Sequence, residues 1–210
     1  KSFPTTKGLI GIIGAGNFTT ATVLPNLKKL NFNIKSIASS RGLSGTTLAK
    51  KYNIAESTSD YELILQDKMI DAVIITTRHN QHASQILKSL NAGKHVFVEK
   101  PLAINILELN KIIEKYKSSN LSITVGFNRR FSSFSKEIKK QLGDSKQPIN
   151  VIATMNAGFI DPNDWVHDLK LGGGRIIGEA CHYFDLLIYL TGSKIKSVCS
   201  NFLDINELKD

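Results

Sequence analysis

A glycine-rich turn near the start of the chain constrains its fold more than any other feature. The apolar run Leu9–Ile13 leads into Gly14 and Gly16, and a helical pattern begins near Asn17. A strand that passes through such a turn into a helix is typical of parallel sheets that bind dinucleotides. Gly14 allows the tight turn, and Gly16 lets a pyrophosphate reach the N–H groups at the start of the helix. The stretch predicts a dinucleotide site, with an ordinary tight turn as the alternative.

The third position of the usual glycine fingerprint holds Thr19, and Ala21 lies just beyond it. That position serves the packing of the helix against the strand, so a small residue can suffice. The cofactor contacts predicted at this turn are Gly14, Gly16, Asn17 and Phe18.

Strand and helix patterns alternate up to residue 127 with few residues left over. Predicted strands cover residues 9–13, 34–38, 57–59, 72–76, 95–98 and 122–126. Predicted helices cover residues 18–30, 44–52, 61–66, 81–91 and 107–117. Residues 1–127 are therefore expected to form an α/β domain with a doubly wound parallel sheet. Pro25 is expected to bend the first helix or interrupt its hydrogen bonds.

The pattern changes after Gly126, and residues 128–210 are expected to form a second, α+β domain. The prediction is a helix over 133–141, a turn over 143–148, strands over 150–157 and 195–203, and a helix from 174 to 190. Two strands and one long helix leave sheet edges uncovered. This domain is therefore expected to be truncated or completed by a partner, as in a dimer formed through its sheet.

Composition narrows the class of protein. The net charge is +9 and the basic surplus lies in residues 1–130, but no basic run is interleaved with aromatic residues. A solvated basic surface is favoured over a nucleic-acid groove. No apolar stretch approaches the ~18 residues of a membrane span. Cys181 and Cys199 give no disulfide framework, so we expect packing thiols in a cytoplasmic protein. The chain begins with Lys1 rather than Met, and we expect it to be part of a longer polypeptide.

The end of the second predicted strand bears on the choice of cofactor. A carboxylate there usually binds the ribose 2′-hydroxyl of NAD. This strand instead ends in Ser39, Ser40 and Arg41. A guanidinium beside hydroxyl groups suits the 2′-phosphate of NADP. NADP is therefore favoured over NAD, with Arg41 as a solvated loop residue in the alternative interpretation.

A lysine follows a buried strand at the edge of the sheet where ligands bind. Glu99, Lys100 and Pro101 come directly after the strand predicted over 95–98. A partly desolvated lysine beside a nicotinamide can exchange a proton with a substrate hydroxyl. A surface Lys-Pro turn is the alternative interpretation.

Four segments together resemble the Gfo/Idh/MocA oxidoreductase family. They are GIIGAGNF at 11–18, AGKHVFVEKP at 92–101, VGFNRRF at 125–131 and GGGRIIGEACHYFDL at 172–186. The likeness is greatest to the subgroup in which such a domain follows a zinc alcohol-dehydrogenase-like region in one polypeptide. It implies a Rossmann domain and a hydride transfer between NAD(P) and a secondary alcohol or ketone of a sugar, polyol or nucleotide sugar. Family members are longer than this chain.

The resemblance also implies catalytic roles. Lys100 corresponds to the proton-transfer lysine, and the peptide between Lys100 and Pro101 is expected to be cis. His182 corresponds to the catalytic histidine, whose proton affinity suits a relay at neutral pH. Asp185 lies three residues further on the same helical face and could orient His182 or serve the substrate.

One position departs from the family pattern. Gly178 stands where the family commonly has an aspartate, and Glu179 is its neighbour. One residue along a helix rotates a side chain by about 100°. Three outcomes stay open: Glu179 reaches in from a shifted helix, Lys100 and His182 act alone, or activity is lost.

Further contacts are expected around the nicotinamide and the substrate. The loop after the fourth strand is expected to line the nicotinamide pocket, with Asn80 capping the next helix. The predicted cofactor contacts there and nearby are Thr76, Thr77, Arg78, His79, His82, Glu99, Lys100 and Asn128. His79 and His82 are three residues apart, but no third ligand is near them in the sequence, and no metal is predicted.

Two further groups stand outside these motifs. Of Arg129 and Arg130, one is expected to bind substrate or cofactor and the other to be structural. Trp165, His167 and Asp168 could wall a sugar-sized pocket, with Trp165 equally placed for the core.

The leading interpretation is an NAD(P)-dependent dehydrogenase with a small, sugar-like substrate. A dinucleotide-binding regulator or scaffold without turnover is the alternative, because Gly178 breaks the usual catalytic set. Neither nucleic acid nor membrane is expected as a partner.

Overall fold

The computed structural model describes residues 8–143 and 148–201. The chain divides into two units, with the division between Gly126 and Phe127.

Six parallel strands form the sheet of the first unit. They are β1 (Leu9–Ile13), β2 (Ile34–Ala38), β3 (Glu56–Thr58), β4 (Ile70–Ile75), β5 (His95–Val98) and β6 (Ile123–Val125). Their order across the sheet is β3-β2-β1-β4-β5-β6. The order reverses between β1 and β4, and this is where open α/β sheets bind ligands at the carboxyl ends of their strands.

Five α-helices connect these strands. They are α1 (Leu24–Lys29), α2 (Leu43–Tyr52), α3 (Glu62–Gln66), α4 (His79–Asn91) and α5 (Ile106–Lys117). The predicted doubly wound α/β fold is confirmed. Apart from the first helix, part of which is π-helical, the largest differences in the bounds are at β4 and α4, which each begin two residues before their predicted starts.

Pro25 interrupts the first helix, as predicted. A π-helical turn over Thr19–Val23 precedes α1, and Pro25 lies in the first turn of α1. Proline lacks an N–H and its ring crowds the carbonyl four residues earlier, so a wider turn accommodates it. Helical backbone therefore continues from Asn17 to Lys29, with the π-helical hydrogen bonds confined to Thr19–Val23.

Alternate residues of the strands pack on opposite faces of the sheet. Ile12 and Ile74 belong to one cluster of buried side chains, while Ile13 and Ile75 belong to the other. Both faces are covered by helices, so the central strand β1 carries no polar side chain. Burying one such side chain contributes about 1.5–3 kcal/mol. The two clusters fix the strand ends that carry the candidate site.

In the second unit, all the regular secondary structure among the described residues is helical. It contains the 3₁₀ turn Asn128–Phe131, α6 (Ser133–Leu142), the 3₁₀ turn Trp165–His167, the π-helical turn Ile176–Ala180 and α7 (Cys181–Thr191). Both helices agree with the predicted ones apart from their ends and the π-helical turn.

The two strands predicted in the second unit are wrong within the described residues. Segments 150–157 and 195–201 are neither helix nor strand, and their side chains are exposed. Alternating apolar residues give a strand its face, but its backbone groups still need a neighbouring strand. Residues 144–147 of the predicted turn and residues 202 and 203 of the last strand lie outside the described residues. Within the described ranges, no helix has the length and apolarity to span a lipid bilayer.

Candidate active site

Hydrogen bonds of the buried Thr19 link the glycine-rich turn to the residue after β4. Gly14 has a φ of +114°, and a Cβ there would lie 2.6 Å from Oγ1 of Thr76. The hydroxyl of Thr19 donates to the carbonyl oxygen of Gly14 at 3.0 Å and lies 2.6 Å from the hydroxyl of Thr76. The turn therefore requires glycine at position 14. Thr19 contributes a hydroxyl group there, beyond the packing role predicted from the sequence.

The start of the first helix is open to ligand. Gly16 and Asn17 are exposed, and the N–H of Thr20 donates to the carbonyl of Gly16 at 3.0 Å. Apart from chain neighbours, no described atom lies within 4 Å of the position that a Cβ on Gly16 would take. The first N–H groups of a helix have no partner within the helix and favour anions. The space beside Gly16 and the N–H groups of Asn17 and Phe18 fit a pyrophosphate.

Of the three residues after β2, one is buried in a hydrogen bond with α2 and two are exposed to solvent. The buried Oγ of Ser39 accepts a hydrogen bond from the N–H of Gly45 at 3.0 Å. Ser40 and Arg41 are exposed. The Ser39 hydroxyl thus stabilises the start of α2, whereas the Arg41 side chain is accessible from solvent.

His82 bridges two segments of the first unit. Its ring is fully buried, with Nδ1 2.8 Å from the carbonyl oxygen of Pro101 and Nε2 3.0 Å from that of Thr77. The hydroxyl of Thr77 donates to Oε1 of Gln85 at 2.6 Å. The prediction that the His82 ring contacts a cofactor is corrected, because both of its polar atoms face the backbone and the ring has no exposed surface.

The other residues of this loop lie at the start of α4. Arg78 is exposed and His79 is half-buried. The helix begins at His79 without a side-chain cap, so the prediction that Asn80 caps it is wrong. Asn80 lies within the first turn, and its buried Oδ1 accepts no hydrogen bond among the described residues. Over the same residues, no group of three His, Cys, Asp or Glu side chains could hold a metal ion.

Lys100 is the second residue after β5, at the carboxyl edge of the sheet. The Lys100–Pro101 peptide is cis, as the resemblance implied. The N–H of Glu99 donates to the carbonyl of Ile75 at 2.9 Å, which fixes the backbone just before the lysine. A Cβ on Gly126 would lie 2.5 Å from Oε1 of Glu99. Burial raises the pKa of the Glu99 carboxyl to about 7, although the charge of Lys100 acts in the opposite direction.

The second unit holds the histidine of the candidate site. His182 lies on α7, is 7% exposed and contacts the ring of Phe127 edge to face. Asp185 lies on the same helix, but both of its oxygens accept hydrogen bonds from Arg130, and the Nε bond measures 2.8 Å. The prediction that Asp185 orients His182 or serves the substrate is corrected, because this carboxylate anchors the turn that contains Arg130.

The two arginines of the 3₁₀ turn have different surroundings. Arg130 also lies over the ring of Tyr189, whereas the guanidinium of Arg129 lies 4.8 Å from the ring centre of Tyr183. Arg130 is therefore the structural member of the pair. Asn128, at the start of the turn, is exposed.

Glu179 has a partner within its own helix. Arg175 donates from Nε to Oε2 of Glu179 at 2.7 Å. Both residues lie at the π-helical turn before α7, and Gly178 beside them is buried. Because Arg175 neutralises the Glu179 carboxylate, this geometry favours the two outcomes in which Glu179 does not replace the usual aspartate.

Asp168 forms the turn that leads to the three glycines. Its Oδ1 accepts from the N–H of Lys170 at 2.7 Å and of Leu171 at 3.1 Å, and its carbonyl accepts from Gly172. Oδ1 of Asp168 thus stabilises the turn, and a sugar pocket lined by this exposed residue stays a prediction. Trp165 and His167 are half-buried, as is Cys181, whereas Cys199 is exposed and is not a packing thiol.

Comparison with known proteins identifies the family of this chain. Residues 9–127 match a protein-family model described as an oxidoreductase family with an NAD-binding Rossmann fold, GFO_IDH_MocA. This match covers more than half of the 210 residues. The chain belongs to the Gfo/Idh/MocA family.

Curated members of the Gfo/Idh/MocA family are similar over most of this chain. Myo-inositol 2-dehydrogenase of Thermotoga maritima is 28% identical over 192 residues, which are 90% of this chain and 56% of that protein. The scyllo-inositol 2-dehydrogenase (NAD(+)) of Bacillus subtilis is 33% identical over 153 residues, which are 72% of this chain and 44% of that protein. The chain therefore spans about half the length of these relatives.

Solved structures of the Gfo/Idh/MocA type share the fold. A probable dehydrogenase from Thermotoga maritima superposes with a TM-score of 0.75 at 25% identity, over 89% of this chain and 56% of that one. Levoglucosan dehydrogenase, in complex with NADH and levoglucosan, superposes with a TM-score of 0.73 at 26% identity, over 88% of this chain and 54% of that one.

The predicted site residues fall into two groups in this member of the family. The predicted cofactor contacts from Gly14 to Lys100 all lie in the first unit, after the carboxyl ends of β1, β2, β4 and β5. The predicted residues His182, Glu179 and Asp185 all lie in the second unit. Sequence reasoning missed Gln85 and Arg175. For Arg175 the available signal was its position four residues before Glu179 on the same helical segment.

Proposed function

We propose that this protein is an NAD(P)-dependent dehydrogenase that acts on a CH–OH group of a sugar, polyol or nucleotide sugar. One observation carries the proposal: Lys100 follows β5 at the same sheet edge where the glycine-rich turn of β1 opens beside Gly16. The names of the inositol dehydrogenases and of levoglucosan dehydrogenase support the same class of substrate.

Each residue has a defined task in this proposal. A bound nicotinamide supplies the hydride chemistry. The N–H groups beside Gly16 hold the pyrophosphate and so orient the cofactor. The Lys100 amine takes the proton of the substrate hydroxyl during oxidation and returns it during reduction. His182 acts as a second proton-exchange group, as the family resemblance implies.

Turnover by a lysine variant tests the reaction. Lys100→Met should lower kcat about 10²–10⁴-fold because it removes the proton-exchange group. The substrate panel is myo-inositol, scyllo-inositol and levoglucosan with NAD⁺ or NADP⁺, and NAD(P)H formation is measured by absorbance. Lys111→Met, on the exposed face of α5, is the matched control. Equal kcat in both variants would exclude Lys100 as the proton-exchange group.

NADP as the preferred cofactor is part of the proposal. Its support is the exposed Arg41 after β2, with no acidic residue before Glu56 in the sequence. Arg41→Ala should weaken NADP⁺ binding about tenfold or more and leave NAD⁺ binding nearly unchanged, because only NADP⁺ carries the 2′-phosphate. Calorimetry of both nucleotides, with exposed Lys50→Ala as control, measures the ratio. Tighter binding of NAD⁺ by the unaltered protein would refute the preference.

A regulator or scaffold that binds dinucleotide without turnover is the second candidate. Gly178 and the ion pair of Glu179 with Arg175 favour it, because no carboxylate of this segment is left for catalysis in the usual position. Calorimetric binding of NAD(P) without NAD(P)H formation across the substrate panel would support this candidate over the dehydrogenase.

Further proposals concern the domains of the protein, the polypeptide around them and its partners. We infer two domains, over 1–127 and 128–210, within a longer cytoplasmic polypeptide whose preceding region is of the zinc alcohol-dehydrogenase type. We further propose a homodimer formed through the second domain, and no nucleic-acid partner. Light scattering on the purified chain would measure its oligomeric state, and strongly salt-dependent binding to DNA would contradict the exclusion of nucleic acid.

A further inference from the structure

Lys100 lies between two tertiary hydrogen bonds of the backbone. On one side, the N–H of Glu99 donates to Ile75 at the end of β4. On the other side, the carbonyl oxygen of Pro101 faces Nδ1 of His82 at 2.8 Å. The backbone is thus fixed by a hydrogen bond on each side of Lys100, and the second of these bonds depends on the side chain of His82.

We propose that His82 is a positioning residue for Lys100, which it holds in place by donating a hydrogen bond from Nδ1 to the carbonyl oxygen of Pro101. Its kinetic consequence rests on the proposed dehydrogenase function. The hydrogen bond itself does not depend on that function.

The choice of Nδ1 as the donor follows from the surroundings of the ring. A neutral imidazole has one N–H, so it can donate to only one of two carbonyl oxygens. Burial lowers the pKa of His82, which favours the neutral ring. The contact with Pro101 is buried and the shorter of the two, whereas the contact with Thr77 is part-buried. Leaving a buried carbonyl without a hydrogen bond costs more free energy than leaving a carbonyl that water can reach. The N–H is therefore placed on Nδ1, where it can donate to Pro101.

The position of His82 suits this role. It lies in the first turn of α4, whose later residues Ile86 and Leu90 are part of the core. Leu102, which follows Pro101, packs against the same core cluster. The hydrogen bond therefore ties the segment after Lys100 to a helix that cannot shift without disturbing buried side chains.

Two amide variants separate the nitrogens of the ring. The amide nitrogen of Asn lies near the position of Nδ1, and that of Gln near the position of Nε2. His82→Asn should therefore keep the bond to Pro101, while His82→Gln and His82→Leu should lose it. Ser89→Ala is the matched control, because it removes another buried hydrogen bond of α4, from Ser89 Oγ to the carbonyl of Gln85.

The hydrogen bond can be observed without any activity. Pro101 is the proline that is followed by leucine in this sequence, so [1-¹³C]Pro and [¹⁵N]Leu labelling gives one HNCO signal for the Pro101–Leu102 pair. The carbonyl ¹³C signal should move upfield in His82→Gln and His82→Leu and stay near its original position in His82→Asn and Ser89→Ala. A signal that moves as far in His82→Asn as in His82→Leu would overturn the proposed bond.

Kinetics then tests positioning against a purely structural role. His82→Gln should lower kcat about 10²-fold with little change in the Kd for NAD(P), because a misplaced reacting group costs rate rather than binding. His82→Asn should keep a higher kcat than His82→Gln. Equal kcat in His82→Gln and the unaltered chain would overturn the positioning role. If the unaltered chain turns over no polyol, the dehydrogenase function and the positioning role fail together, and the HNCO signal still decides the hydrogen bond.

Discussion

The carboxyl group of Glu99 should make the stability of the first unit depend on pH. Burial raises its folded-state pKa to about 7 from an ordinary value of 4.5. Between these values the folded chain binds more protons than the unfolded chain, so this group's contribution falls as the pH rises. The contribution is fully present below about pH 4.5 and lost above about pH 7.

The magnitude follows from the size of the pKa shift. A change from 4.5 to about 7 corresponds to an upper value of about 3 kcal/mol. The side chain is half-buried and Lys100 is its neighbour, and solvent screening reduces the expected effect to about 1–2 kcal/mol. Glu99→Gln keeps the shape of the protonated acid and removes the titration. It should therefore raise the free energy of unfolding by about 1–2 kcal/mol at about pH 8.5 and change it little at about pH 5.

Urea unfolding followed by far-ultraviolet circular dichroism measures both values on the full chain. The exposed Glu114→Gln variant on α5 is the control for loss of one negative charge. The reasoning would be refuted if Glu99→Gln gained the same free energy at both pH values, or gained none at about pH 8.5.

Three further predictions concern the glycine-rich turn and the second unit. Gly14→Ala should lower the free energy of unfolding by about 1–3 kcal/mol, because its φ is strained for alanine. Gly16→Ala should leave that free energy nearly unchanged but weaken NAD(P) binding. A larger loss of stability in Gly16→Ala than in Gly14→Ala would contradict the roles assigned to the two glycines. Thr19→Val keeps the side-chain shape and should cost about 1–3 kcal/mol through lost buried hydrogen bonds, as measured by urea unfolding; a neutral result would show that only packing matters. Arg130→Met should destabilise the second unit by about 1–3 kcal/mol, as measured by the fluorescence of the single tryptophan. In a double-mutant cycle, Arg130→Met should cost much less when Asp185→Asn is already present, because the partner of the arginine has been removed.

The first unit could be predicted from sequence because local pattern and tertiary environment agree there. Strands buried on both faces are rich in apolar residues, and β1, β2 and β5 begin and end at the predicted residues. The start of α4 was misplaced because no capping side chain marks it, and Asn80 offered a false one.

Predictions in the second unit failed where they depended on distant partners. The alternation of apolar and polar residues at 150–157 indicates one apolar face of a strand, but a strand also needs a neighbouring strand to pair with its backbone. Asp185 was assigned to His182 by helical spacing, but Arg130 is 55 residues away and outcompetes that neighbour with two hydrogen bonds. His82 was placed in the pocket by its position in the loop, but its Nδ1 faces the carbonyl oxygen of Pro101, 19 residues further along.

The hydroxyl pair of Thr19 and Thr76 joins two positions that are 57 residues apart. A glycine at the first position would need no hydroxyl partner at the second, so the two residues should change together among related sequences. Chains with glycine at position 19 should tolerate an apolar side chain at position 76, and chains with threonine at position 19 should retain a hydroxyl there. This correlation gives a way to recognise, without a structure, which relatives close their cofactor turn as this chain does.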